Sequence, residues 1–440
     1  MNDLFEKLLD ETERRARRIE AVRGPAPGSE GALNDPLDAI TALRGRPLFY
    51  PFIGSGAGRG ALVELLDGSV KWDFITGIGT NFFGHADRQI LRTCLNAALS
   101  DIPIQGHLEP NAEYAEFLSA VSRIAPGRCK LVWPSMSGTL ANENALKIIR
   151  AKKRPAFRVL AFDGAFAGRS TTLSEITDSE LNKQGQADLG QALRIPFHDP
   201  RDPRSAERTL EAMDRHFEKF PGEICAIHVE LVQGEAGFRP APADFFSAVF
   251  DRCRRENVAV WVDEIQTFGR TGEYFMLDRL GLAERADVVT IGKLLCGSAA
   301  CFAPEFNPPA GLISGTYAGY TAGLALGCLV IRRLSEEGHL GEKGKTRALE
   351  RAVTEKMETW KENGLITDYT ALGAMAALTP RRSDLDSIRA LVRRLFDLGL
   401  CAYYAGHGPY RLRMLLPGGC LTPSDLAAPF DILERGLAPA

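Results

Sequence analysis

The chain has 440 residues, 45% of them hydrophobic and 25% charged, a balance of ordinary globular proteins that excludes disordered and fibrous classes. Its formal charge of -3 supplies no basic field for nucleic acid. The longest uncharged apolar stretch, around AGLALGCLVI (322–331), is well short of the roughly 20 residues that cross a bilayer.

In chain order, residues 1–20 are charged and helix-patterned. The basic run RRARR (14–18) is flanked by Glu11, Glu13 and Glu20, which marks a solvated helix face. The first turn mixes in acids and lacks an apolar h-region, so no secretory signal is expected. Residues 21–36 (AVRGPAPGSEGALNDP) read as a Pro/Gly-rich linker. Between 47 and 75, short apolar runs broken by glycines predict a small antiparallel element, with the DG of ALVELLDGSVKWDF as its turn.

From about 130 the rhythm changes. KLVW (130–133), a helix over 141–153, RVLAF (158–162), a helix over 205–219, ICAIHV (224–229), a helix over 243–256, VAVWV (258–262) and DVVTIG (287–292) alternate. Runs that are apolar on both faces predict strands covered by helices on both sides, hence a mostly parallel sheet. After about 330, amphipathic helices and the runs ALGAMAAL and RLRMLL predict a separate α+β domain. The nine cysteines are scattered without CxxC spacing, and none of the seven histidines falls in HExxH. Reduced thiols in a cytoplasmic protein, and no metal site, are the expectation.

Ligands of open parallel sheets gather outside the carboxyl ends of the strands, which directs attention to SMSGT (135–139), DGAFAGR (163–169), ELVQGEAG (230–237), DEIQ (263–266) and GK (292–293). Two other motifs fail in context. An apolar strand ending in Asp-Glu resembles a Walker B segment, and GKT occurs at 344–346, but the phosphate-loop glycine would fall on His339 and no strand precedes it. GSGAGRG (54–60) is followed by no helix and reads as a turn; His85 reads as a structural residue. Ser137, Gly138 and Thr139 stand where a strand ends and a helix begins, where free N–H groups and the positive helix end cradle a phosphate. Lys293 closes a buried strand. Desolvation there favours the neutral amine that forms Schiff bases.

Taken together and in order, SGTxANExAxK (137–147), FxGAFxGR (162–169), VExxQGEAG (229–237), DEIQTxGRTG (263–272), TIGK (290–293) and SGTYAG (314–319) resemble the class III aminotransferases of the ornithine, acetylornithine and 4-aminobutyrate group. The resemblance spans roughly residues 60–420. It implies a fold-type-I α/β transferase: a large domain with a mostly parallel seven-stranded sheet covered by helices, plus a smaller α+β domain from both chain ends. The expected divisions are an N-terminal segment (1–70), the large cofactor domain (71–330) and the C-terminal small domain (331–440). It also implies pyridoxal 5'-phosphate as cofactor and a homodimer with active sites at the subunit boundary.

By that resemblance Lys293 is the Schiff-base lysine, and Asp263 faces the pyridine nitrogen. Gln266 bonds the ring 3-oxygen, and Phe166 stacks on the ring. Ser137, Gly138 and Thr139 hold the phosphate, with Thr316 reaching it from the neighbouring subunit. Arg169 takes the distal carboxylate of 2-oxoglutarate. Arg413, with Arg411 as the fallback, takes the α-carboxylate, and Glu235 pairs with that arginine when the donor lacks one. The implied activity is ping-pong transamination from a terminal amine to 2-oxoglutarate. An aminomutase of the same fold and a noncatalytic binding protein are the alternatives. The chain departs from the family pattern in a loop one residue short after Thr267, in LLCGSAACFAP after the lysine, in Leu140 for an acid and in Leu231 for a proline.

Overall fold

The computed structural model describes residues 2–100, 104–105 and 108–438, so positions 1, 439 and 440 of the expected terminal segments lie outside it. It forms two compact units, residues 97–341 and residues 1–96 with 342–440.

The second of these begins with helix α1 (Asn2–Ala16), on which Arg14 and Arg15 both pair with Glu11; the basic run is a salt-bridged, solvated face, as its flanking acids suggested. Helix α2 (Glu30–Arg44) starts inside the expected linker and accommodates Pro36. Strands β1 (Gly54–Arg59), β2 (Leu62–Leu65) and β3 (Val70–Asp73) form the antiparallel element. The DG turn joins β2 to β3, with Gly68 at φ 77° and Asp67 Oδ1 accepting from Ser69 N at 2.9 Å.

In the unit 97–341 the elements are β4 (Leu131–Ser135), helix α3 (Gly138–Lys153), β5 (Arg158–Phe162), β6 (Ala192–Ile195), helix α4 (Ser205–Lys219), β7 (Ile224–Val229), helix α5 (Ala243–Arg255), β8 (Ala259–Glu264), β9 (Val288–Ile291), β10 (Ser298–Phe302) and helix α6 (Thr321–Glu336). The seven strands lie in the order β4-β10-β9-β8-β7-β5-β6. All pair in parallel except β10, which is antiparallel to both β9 and β4. Every residue of β7, β8 and β9 is buried, the physical reason those runs are apolar on both faces. Ala145, Ile148 and Ile149 of α3 share one core with Val159, Ala226, Trp261 and Val288 of the sheet. Two strands escaped the sequence reading. The edge strand β6 (ALRI) buries only alternate residues, and β10 (SAACF) is built of small residues that carry little strand signal.

The chain then completes the first-described unit with helix α7 (Lys345–Glu362), β11 (Ile366–Leu372), β12 (Met375–Pro380), helix α8 (Leu385–Leu398), β13 (Leu400–Cys401), β14 (Tyr403–Ala405) and β15 (Arg411–Leu415). One four-stranded sheet runs β1-β2-β3-β13, the other β11-β12-β15-β14. None of the helices among the described residues is long and apolar enough to cross a membrane.

Candidate active site

Within the unit 97–341, a cavity of about 230 Å³ is lined by Ser137, Gly138, Thr139, Asn142, Phe166, Ala167, Gly168, Glu230, Glu235, Asp263, Ile265, Gln266 and Lys293. The lining comes from the carboxyl ends of β4, β5, β7, β8 and β9 and the loops that follow them, where an open parallel sheet offers its binding crevice.

At one wall α3 begins. Ser137, extended at φ -152° and ψ 158°, accepts the Leu140 N–H on its hydroxyl at 3.3 Å, and its carbonyl accepts from Ala141 N at 3.0 Å. The preceding N–H groups of Gly138 and Thr139 have no acceptor within the helix. A side chain at Gly138 would bring its Cβ to 2.9 Å from Ile265 Cδ1, so the open floor of this corner depends on glycine.

Asp263 is 7% exposed. Its Oδ1 accepts from Ile265 N at 2.9 Å, and its Oδ2 accepts from Asn142 Nδ2 at 2.7 Å with His228 Nε2 at 3.4 Å. Its neighbour Glu264 is fully buried and turned away. It accepts from Met276 N at 3.0 Å, from Leu277 N at 2.8 Å and from the Thr267 hydroxyl. Burial pushes the Glu264 carboxyl up to about 7. The two adjacent acids therefore divide, one into the cavity and one into the loop. That loop, one residue short, closes over buried Phe268, whose ring meets Phe275 edge-on at 5.5 Å. Thr267, Phe268, Gly269 and Arg270 lie behind Gln266 and do not line the cavity. Buried Arg270 gives Nη1 to the Gln266 carbonyl at 3.1 Å, and burial draws its guanidinium down to about 9.

Lys293 follows β9 through Gly292, where a Cβ would meet Ser298 Oγ at 2.6 Å. Its own backbone is left-handed at φ 50°, a strained conformation for a residue with a side chain and one that clusters at working sites. Phe166 lines the cavity with its N–H given to Glu230 Oε1 at 2.9 Å.

Three expected residues lie off this lining. Arg169 is exposed, with its guanidinium 5.9 Å from the Phe166 ring centre. Thr316 is exposed in the loop ahead of α6. Arg413 belongs to the other unit, buried on β15 opposite Ala377 of β12, 6.0 Å from the Tyr403 ring centre. Arg411, two residues before it, is held by Thr370 Oγ1 at 3.1 Å and Asp368 at 3.6 Å.

Sequence reasoning missed Glu230, Asn142 and His228. Glu230 is buried and accepts from Phe166 N and from Gly234 N at 3.0 Å. Burial, then the nearby Asp263 charge, pushes its carboxyl up to about 8. The available signal was a polar residue, His228, near the end of an otherwise apolar strand, with a second, Glu230, two positions on, a spacing that extended backbone places on one face.

The sign of the Glu230 effect is opposite to that of a paired carboxylate. Between its ordinary value of 4.5 and about 8, the folded protein keeps a proton that the unfolded chain has released, so stability falls as pH rises through that window. Glu230→Gln is expected to flatten the slope of unfolding free energy by up to about 1.4 kcal/mol per pH unit between pH 5 and 8, read by denaturant titrations across that range. An unchanged slope would contradict the buried, protonated carboxyl.

The site fits pyridoxal 5'-phosphate. The free helix end suits a phosphate, Asp263 suits a ring cation, and Lys293 supplies the amine. The buried Oε1 of Gln266 and Oδ1 of Asn142 have no protein partner, which leaves polar groups for a bound molecule to meet. The class-III aminotransferase family model matches residues 50–437.

The chain belongs to the class-III aminotransferases.

This class-III enzyme is a pyridoxal-phosphate-dependent transaminase by family. It is 29% identical to 2-aminoadipate transaminase of Pseudomonas putida, over 87% of this chain and 94% of that one. It is 28% identical to 5-aminovalerate aminotransferase of the same organism, over 90% and 94%. Among solved structures, the lysine aminotransferase of M. tuberculosis in its internal aldimine form superposes with a TM-score of 0.79 at 19% identity, covering 91% of this chain and 98% of that one. That likeness is one of fold, and the mostly parallel seven-stranded sheet is the fold-type-I sheet.

Proposed function

We propose that this aminotransferase moves a terminal amino group of an amino acid or diamine to 2-oxoglutarate by a ping-pong mechanism. The observation that carries this reading is the convergence of Lys293, Asp263, Gln266 and the start of α3 on one cavity. The bound cofactor supplies an electron sink for the electrons left when the donor's C–H bond breaks. Ser137, Gly138 and Thr139 would anchor the phosphate, Phe166 would pack against the ring, and Gln266 would give its amide to the ring oxygen. Asp263 would hold the proton on the ring nitrogen. The Lys293 amine would take the proton from the donor carbon and deliver it to the cofactor carbon on the far side of the nitrogen, two atoms along.

Arg169 holds the distal carboxylate of 2-oxoglutarate as a bidentate partner. Glu235, on the cavity lining, bears on which donor is accepted. The terminal-amine reading is supported by the relative named for 5-aminovalerate. The relative named for 2-aminoadipate makes the donor position the first thing to measure. The enzyme acts as a cytoplasmic homodimer whose Thr316 reaches the neighbour's phosphate; its nine free cysteines support a reducing compartment.

The test is a panel of terminal and α-amino donors with 2-oxoglutarate, following glutamate. Parallel double-reciprocal lines are expected, with Arg169→Ala raising KM for 2-oxoglutarate roughly tenfold or more and Glu235→Ala altering donor selectivity. Amine isomerisation without any acceptor would replace the reading with an aminomutase, and a fully active monomer would remove the role of Thr316.

A further inference from the structure

His228 stands near the carboxyl end of the buried strand β7, fully enclosed. Its Nε2 lies 3.4 Å from Asp263 Oδ2, while its Nδ1 is buried with no protein partner. An orphaned N–H is rarer in protein interiors than an orphaned acceptor, so the proton belongs on Nε2 and is given to the carboxylate. The ring has little freedom. The Trp261 indole meets it edge-to-face at 4.7 Å and 76°, and is itself tied by Nε1 to Thr290 Oγ1 at 3.3 Å. Trp261 and His228 are direct partners across β8 and β7, as Asp263 and Thr290 are across β8 and β9. Neighbouring strands thus fix the imidazole, and the imidazole and Asn142 converge on one carboxylate oxygen.

We infer that His228 is a positioning residue that orients the Asp263 carboxylate through an Nε2–H donor, so that the carboxylate presents to the ring nitrogen of the cofactor. This rests on the reading of Asp263 given above. Oδ1 is fixed by the Ile265 N–H and Oδ2 by two side-chain donors. With the Asn142 bond alone on Oδ2, the carboxylate loses one of the three contacts that set its plane.

The test compares His228→Phe, which keeps the ring and removes the donor, with His228→Gln, which returns an amide N–H, in the cofactor-loaded protein. For His228→Phe, kcat is expected to fall on the order of tenfold with KM nearly unchanged. The absorbance band of the Lys293-bound cofactor should shift, and His228→Gln should recover most of both. Nitrogen-15 NMR of the unsubstituted enzyme should show a protonated Nε2 and a bare Nδ1. This spectrum decides the matter even if a variant fails to fold. A proton on Nδ1, or a folded His228→Phe with unchanged kcat and spectrum, would overturn the inference. An active Asp263→Asn would instead sink the reading beneath it, so the two failures are separable.

Discussion

Lys293→Ala is expected to lower turnover by at least about 10⁴-fold and to remove the absorbance band of the lysine-bound cofactor. In the proposed reaction the residue has two tasks that no neighbour shares. Among the described residues it is the only lysine on the cavity lining, so neither the covalent attachment nor the proton transfer has a substitute. The alanine protein should still fold, because the position is only half-buried and its left-handed backbone is strained with any side chain. Cofactor should still bind through the phosphate corner and Asp263. The measurement is single-turnover kinetics with an added primary amine such as methylamine, which should restore part of the rate by supplying the missing base. Undiminished turnover in the alanine protein would reject the assignment.

Asp263→Asn is expected to be the next largest loss, on the order of 10²- to 10³-fold in kcat. The amide nearly matches the carboxylate in shape, so the change isolates charge. A neutral oxygen no longer stabilises a proton on the ring nitrogen, and the electron sink weakens where it is needed. There is a second consequence. The Asp263 charge is one of the causes that hold the Glu230 carboxyl at about 8, so Glu230 should titrate lower in the variant. The checks are stopped-flow rates of the donor half-reaction and infrared titration of the carboxyl groups. A wild-type rate, or a Glu230 that titrates unchanged, would contradict the arrangement.

Much of this was legible in the sequence because burial writes itself into composition. The runs ICAIHV and VAVWV announced strands covered on both faces, and the rule about carboxyl ends of parallel strands selected the loops that do line the cavity. Lys293 and the start of α3 were found that way, whereas Asp263, Gln266 and Phe166 took their individual places from the family resemblance. Glu235 entered through the family resemblance. β6 and β10 were not found, the first because an edge strand buries only alternate side chains, the second because Ser and Ala carry no strand preference. The division of labour between Asp263 and Glu264 was suggested by the motif but decided by hydrogen bonds: Glu264 meets two backbone N–H groups twelve and thirteen residues further on. No local pattern reports a contact of that kind. His228 and Glu230 were visible as letters but not as neighbours of Asp263, since the pairing of β7 with β8 is a property of the sheet.

The most direct test of the account is to reduce the cofactor-loaded enzyme with borohydride, digest it and locate the modified peptide by mass spectrometry. A single pyridoxyl-phosphate adduct on Lys293 is the predicted result. An adduct on another lysine, or none after reduction of a yellow protein, would contradict it.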